Sequence, residues 1–120
     1  MSTTKSLEFV LEFQERPVTI GSERYLLVEL DGKGRDTYLN NLGGRMRHGP
    51  DGKPSGVKDF EGLQAFLVAA CLRKIEADGE LRAVSGETIQ AWPAKVVSGL
   101  FDAAKELSAL DEEEEEGKND

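Results

Sequence analysis

Strict alternation of apolar and polar residues opens the patterned part of the chain, over residues 7–13. One face of this segment would carry Leu7, Phe9, Leu11 and Phe13, and the other would carry Glu8, Val10 and Glu12. Successive side chains of a β-strand point to opposite sides, so a period of two predicts a half-buried strand here.

Two further strands are predicted around a tight turn. Arg16-Pro17 ends the first strand, Val18–Ile20 is a β-branched run, and Gly21-Ser22 fits the two-residue turn of a hairpin. The returning strand covers Glu23–Leu30 and is largely aromatic and aliphatic. Three strands in succession predict an antiparallel meander, whose apolar face other elements must cover because isolated hairpins are only marginally stable.

Two helices are predicted in the middle of the chain, on either side of a glycine-rich loop. Asp31 can cap a helix from about Lys33 to Met46. Residues 43–56 then hold five glycines and two prolines, a composition that predicts a mobile loop. Asp59 can cap the second helix, predicted to be the main core helix, whose apolar stripe consists of Phe60, Leu63, Leu67 and Cys71.

The last third of the body is predicted to be mainly helical. Ser85 begins a short helical turn, and Pro93 takes the first position of a final helix that runs to about Leu110. Gly99 inside this helix would allow a close contact with another helix. Before it, Leu72–Ile75 and Leu81–Val84 flank the turn signal Asp78-Gly79, and either pair briefly or form a loop.

Together these elements predict an α+β fold, in which a small N-terminal antiparallel β-meander or hairpin packs against three to four helices. Residues 1–110 are expected to form a single domain. Residues 111–120 begin with six consecutive acids and hold seven of the 23 acidic residues but only one of the 15 basic residues. A run of like charges has no apolar face to bury, so we expect a disordered acidic tail.

The composition narrows the possible chemistry. Cys71 and His48 are the only residues of their types, which leaves no internal disulfide and little basis for a metal site or a histidine-centred active site. We therefore expect a protein that is not an enzyme and binds no cofactor or metal. No long apolar run predicts a membrane span or signal peptide, so a cytoplasmic protein is expected. The net charge of -8 argues against nucleic acid as the main partner.

Four residues are candidates for binding a partner. Arg45, Arg47 and Lys53 lie in the glycine-rich loop, which could contact phosphates or an acidic protein surface, although a solvated loop has the same composition. Trp92 precedes a proline near a helix start, where packing against the core is the commoner role of an aromatic residue. Cys71 lies on an apolar helical stripe and is expected to be a buried thiol.

Two parts of the sequence resemble the tail assembly chaperones of long-tailed, siphovirus-like bacteriophages. The first resembles their opening hairpin, strand and polar helix, and comprises Val18–Gly21, Tyr25–Leu30 and Arg35–Leu39. The second is similar to their central helix, Asp-Gly turn and closing helix, and comprises Gly62–Leu72, Asp78-Gly79, Ile89–Pro93 and Leu100–Leu107. The resemblance covers most of the body and rests on pattern; residues 43–56 have no counterpart in it.

The resemblance implies a non-enzymatic assembly factor in the host bacterial cytoplasm that is absent from the mature virion. Such a factor coats the tape measure protein and helps recruit tail tube subunits, and the resemblance leaves self-association open. The family commonly makes a longer form by programmed frameshifting, through which the tail tube protein is bound. Glu116, Gly117 and Lys118 can be encoded by a slippery heptamer, so they are the expected junction.

Two other classes of function fit the sequence. A virion structural protein, such as a tail completion or connector protein, could have the same arrangement of strands and helices. A small nucleic-acid-binding regulatory protein could use the basic loop that contains Arg45, Arg47 and Lys53.

Overall fold

The computed structural model describes residues 5–110, so the expectations for the acidic tail and for Glu116, Gly117 and Lys118 lie outside the described residues. In chain order the elements are β1 (Glu15–Ile20), β2 (Glu23–Val28), α1 (Gly32–Gly44), β3 (Met46–His48), β4 (Pro54–Val57), α2 (Leu63–Cys71), β5 (Leu72–Ile75), β6 (Leu81–Ala83), α3 (Gly86–Gln90) and α4 (Ala94–Leu107). These elements confirm the predicted α+β fold, with an antiparallel sheet and four helices.

The main sheet contains four antiparallel strands in the order β1-β2-β5-β6. The predicted hairpin is confirmed: β1 and β2 pair from Glu15↔Val28 to Ile20↔Glu23, and Gly21 turns the chain with a φ of 62°. Of the two alternatives left open on either side of the Asp78-Gly79 turn, the structure has the brief pairing, between β5 and β6. Strands from two separate parts of the chain therefore share one sheet.

The first strand prediction, for residues 7–13, was wrong. No residue of this segment is in a strand, and Leu7, Phe9, Val10 and Leu11 are each at least 79% exposed. The first strand begins instead at Glu15 and includes Arg16-Pro17, which was expected to be a break. Alternation describes a face that is suited to burial, but pairing also needs a partner strand, and β1 and β5 occupy both sides of β2.

The prediction of a mobile loop for residues 43–56 was wrong in part. Strands β3 and β4 form a small antiparallel hairpin, from Met46↔Val57 to His48↔Pro54. Two of its glycines have a backbone geometry that other residues rarely adopt, Gly52 at φ 80° and Gly56 at φ 133°. The glycines therefore shape a hairpin that replaces much of the predicted loop.

The first predicted helix is confirmed as α1. The Gly34 N–H donates a hydrogen bond of 2.7 Å to the Asp31 carboxylate, which satisfies one of the unpaired N–H groups at the helix start. The helix ends at Gly44. Its apolar face buries Tyr38 against the core.

Helix α2 is the main core helix, as predicted, but it begins later than predicted. Its N-cap is Gly62, with a φ of 76°, and not Asp59. Asp59 closes a local turn by accepting a hydrogen bond of 3.1 Å from the Glu61 N–H, which leaves Phe60 outside the helix and 70% exposed. The helix buries five residues in the core: Leu63, Ala65, Leu67, Val68 and Cys71.

The last two helices follow the prediction closely. Ser85 caps α3 by accepting a hydrogen bond of 3.1 Å from the Thr88 N–H, and Pro93 is the N-cap of α4, one position before the predicted one. Helix α4 buries Val97, Leu100, Phe101 and Ala104. Gly99 lies on the exposed side, where a Cβ atom would meet no heavy atom within 4 Å, so the predicted close helix contact was wrong.

Replacing Gly99 by alanine is expected to raise the free energy of unfolding by about 1 kcal/mol, since alanine restricts the unfolded chain and here meets no obstacle. The matched control is Gly62→Ala, which is expected to lower stability by about 1 kcal/mol because its φ of 76° strains any residue with a Cβ. Urea denaturation measures both effects. A loss of stability in the Gly99 variant would contradict the open environment described for this position.

Candidate functional site

An open apolar groove of about 470 Å³ lies between the start of α2, the end of α3 and the first turns of α4. It is lined by Phe60, Gly62, Leu63, Gln64, Ala65, Gln90, Trp92, Ala94, Val97 and Phe101. None of these side chains is ionisable, and their polar groups are the two glutamine amides and the indole N–H of Trp92. The groove therefore lacks an acid, a base or a nucleophile, and it suits contact with an apolar surface that needs a few hydrogen bonds.

Trp92 joins the groove to the core. Its ring meets the buried ring of Tyr25 edge-on, with 5.8 Å between ring centroids and an angle of 74° between planes. The α3–α4 turn fixes its backbone, because the Trp92 N–H donates a hydrogen bond of 3.0 Å to the Ile89 carbonyl. Trp92 is half-buried, so it both packs against Tyr25, as predicted, and lines the groove.

Phe60 is the exposed aromatic residue of the groove, so its predicted place on the core stripe of α2 was wrong. It lies in the turn before α2, where its side chain is 70% exposed. The missed signal is Gly62, three residues after Asp59, because a glycine with positive φ can start the helix and leave the preceding residues outside it. Phe60 and Trp92 line the same groove, and aromatic residues are enriched at the core of protein interfaces.

Arg45 fixes the segment that carries Phe60. Its guanidinium donates hydrogen bonds to the Asn41 side chain at 2.7 Å, to the Asp59 carbonyl at 3.3 Å and to the Glu61 carbonyl. It also forms an ion pair with the Asp59 carboxylate at 3.7 Å, and its side chain is only 15% exposed. Arg45 therefore positions Phe60, and its guanidinium is engaged within the chain.

The four candidate residues for partner binding do not lie at one site. Trp92 lines the groove, and Arg45 supports one side of it. Arg47 and Lys53 are exposed on the β3–β4 hairpin and do not line the groove. Within residues 5–110, no group of three or more histidine, cysteine, aspartate or glutamate residues is placed to hold a metal ion.

Cys71 is confirmed as a buried thiol. It is fully buried at the end of α2, and burial raises its pKa to about 11 from the ordinary value of 9.0. A hydrogen bond with the Ser108 side chain and the charge of Arg73 oppose this rise. The thiol is therefore protonated at neutral pH and belongs to the core.

We expect native Cys71 to react with iodoacetamide much more slowly than a free thiol, because it is both protonated and shielded. The raised pKa also makes stability fall as the pH rises from 9.0 toward about 11, since the unfolded thiol loses its proton first. Denaturation of the native chain and of Cys71→Ala across this range isolates the effect, because the variant lacks this titration. Fast alkylation of the native chain would contradict the burial of Cys71.

Comparison with known proteins identifies no relative, since no protein-family model, curated protein or solved structure shows significant similarity to the chain. Among the described residues, no helix has the length and apolar character needed to cross a membrane.

Proposed function

We propose that the protein is a non-enzymatic tail assembly chaperone of a long-tailed bacteriophage, and that its groove binds an apolar face of the tape measure protein. The sequence resemblance suggests the process, and the groove supplies a surface suited to a helical client. On this proposal the protein acts in the host bacterial cytoplasm and is absent from the mature virion. A longer form, made by frameshifting at Glu116, Gly117 and Lys118, recruits the tail tube protein.

The observation that carries the proposal is that Phe60, which is 70% exposed, and Trp92 line the same groove, and that none of the lining side chains is ionisable. Full burial of one large apolar side chain contributes roughly 1.5–3 kcal/mol. Two such anchors, held by Arg45 on one side and Tyr25 on the other, can receive apolar side chains spaced three and four residues apart on a client helix. Gln64 and Gln90 can hydrogen-bond to the polar margin of that helix.

The chemistry of the client explains why such a groove would be useful. A tape measure protein is long and helical, and its apolar faces aggregate when they remain exposed in solution. A small protein that covers one or two turns of helix per copy would keep the client soluble, with many copies bound along its length. No reaction is needed, which agrees with a lining that contains no ionisable group.

Co-expression tests the proposal directly. The tagged chain is produced with the long, helix-rich protein encoded downstream of its gene, and we expect the two to purify together and the client to remain soluble. A tail tube gene upstream would agree with the same assignment. Soluble chain that recovers no client would refute the proposal, and copurification with mature particles would favour a virion structural protein instead.

A further inference from the structure

The β3–β4 hairpin and the residue that follows it carry three exposed cations, Arg47, Lys53 and Lys58, which form the hairpin patch. Within residues 5–110 none of the three forms an ion pair. The one acid between residues 46 and 58 is Asp51, whose carboxylate accepts a hydrogen bond of 3.0 Å from the backbone N–H of Lys53. The patch therefore presents positive charge that no described carboxylate pairs with.

Two of these cations share one open face of the hairpin. Gly56 lies opposite Arg47, and a Cβ atom at Gly56 would meet no heavy atom within 4 Å. The ladder continues beyond Val57, because the Lys58 N–H donates a hydrogen bond of 2.8 Å to the Arg45 carbonyl. Lys58 is two residues after Gly56 and so lies diagonally across from Arg47 on the same face, with about 7–8 Å between their Cα atoms.

The chain itself contains a segment of matching charge. Residues 111–116 are six consecutive acids, which form the acidic run. On an extended chain alternate residues lie about 7 Å apart, so alternate acids of the run match the spacing of Arg47 and Lys58. We propose that the acidic run of a second copy of the chain binds the hairpin patch.

The reach of the run favours a second copy over its own. Ser108, two residues before Leu110, accepts a hydrogen bond of 3.0 Å from the Leu30 N–H, so the chain leaves the domain near the start of α1. The hairpin follows the other end of α1, and its 13 helical residues span about 20 Å. Six extended residues also span about 20 Å. Within one copy the run would be used up in crossing this distance, whereas the run of a second copy can lie along the patch with all its acids.

The charge of the rest of the chain permits this contact. Six of the 23 acids lie in the run, which leaves 17 acids against 15 basic residues elsewhere, so the repulsion between two copies outside the run is small. Each exposed ion pair contributes little in water, so binding depends on several pairs acting together. Association should therefore rise with protein concentration and fall with added salt.

Charge reversal in two different chains tests pairing between copies. The patch variant carries Arg47→Glu, Lys53→Glu and Lys58→Glu, and the run variant carries Glu112→Lys, Glu113→Lys, Glu114→Lys and Glu115→Lys. Sedimentation at low salt is expected to show that the native chain associates and that either variant alone associates at least tenfold more weakly. Mixing the two variants should restore association, because the basic run of one chain then meets the acidic patch of the other.

A matched control separates the patch from the overall charge of the chain. Its three substitutions make the same change in net charge at exposed positions outside the hairpin: Arg16→Glu, Arg24→Glu and Lys95→Glu. This control should associate like the native chain, and the circular dichroism spectra of all variants should remain native because the altered residues of the body are exposed.

Four results would overturn the pairing. A native chain that stays monomeric at low salt, a control as weakened as the patch variant, or a mixture of the two reversed variants that does not associate would each refute it. Binding of a short DNA duplex by the native chain but not by the patch variant, without association between copies, would assign the patch to nucleic acid instead.

This proposal goes beyond the chaperone function and does not depend on it. The patch residues do not line the groove, so the patch variant should bind a short client segment as the native chain does. Loss of client binding alone would leave the pairing intact, and loss of association alone would leave the chaperone function intact.

Discussion

Replacing Leu67 by alanine is expected to lower the free energy of unfolding by about 3–4 kcal/mol. Leu67 is fully buried on α2, and α2 packs against α1, α3, α4 and β5, so the cavity left by the lost atoms would lie at the centre of the domain. Small domains have only about 5–15 kcal/mol of stability in total. Denaturation in urea, followed by circular dichroism, measures the loss.

The same substitution at Leu81 is the control. Leu81 is 49% exposed at the edge of the sheet, and its replacement by alanine is expected to change stability by about 0.5 kcal/mol or less. If Leu67→Ala cost no more than Leu81→Ala, α2 would not be the centre of the core.

Replacing Phe60 by serine is expected to weaken client binding about thirtyfold, which corresponds to the loss of roughly 2 kcal/mol from one aromatic anchor. The fold should be unaffected, since Phe60 is 70% exposed. Titration of a short tape measure segment, monitored by calorimetry, gives the affinity of each variant.

Phe9→Ser is the matched control for this measurement. It makes the same change at a phenylalanine that is 84% exposed and lies outside the groove, so client affinity should remain that of the native chain. Equal losses in the two variants would show that the client responds to exposed phenylalanine in general and not to the groove.

Local signals predicted several of the elements whose partners are close in sequence. The Gly21-Ser22 turn joins two strands that pair with each other, and Asp31 and Ser85 cap helices through hydrogen bonds to residues three positions later. These interactions depend on spacing within a few residues, and the sequence displays that spacing. The spacing of apolar residues along α2 likewise predicted that this helix is buried in the core, because that spacing can be read directly from the sequence.

One of the wrong predictions concerns a choice between distant partners. Residues 7–13 have the pattern of a strand, yet β2 takes β5 as its second neighbour, and β5 lies more than 40 residues further along the chain. The pattern of residues 7–13 does not show which strand will pair with β2.

The candidate groove could be predicted only in part. Trp92 was identified as an aromatic residue of interest, but the exposure of Phe60 depends on Gly62 starting α2 late and on Arg45 holding the turn across 14 to 16 residues. Arg45 was a candidate for binding a partner, because sequence alone does not show that its guanidinium donates to carbonyl groups of the same chain. The groove lies between three helices, and the way in which these helices pack could not be predicted from the sequence.

The most direct test of the central claim uses Trp92, the only tryptophan of the chain and a residue of the groove. A tape measure segment without tryptophan is added to the purified protein while its fluorescence is recorded. Occupation of the groove predicts a saturable shift of the emission to shorter wavelength, because the client would remove water from the half-buried ring. A segment that binds without changing this emission would contradict the groove as the client site.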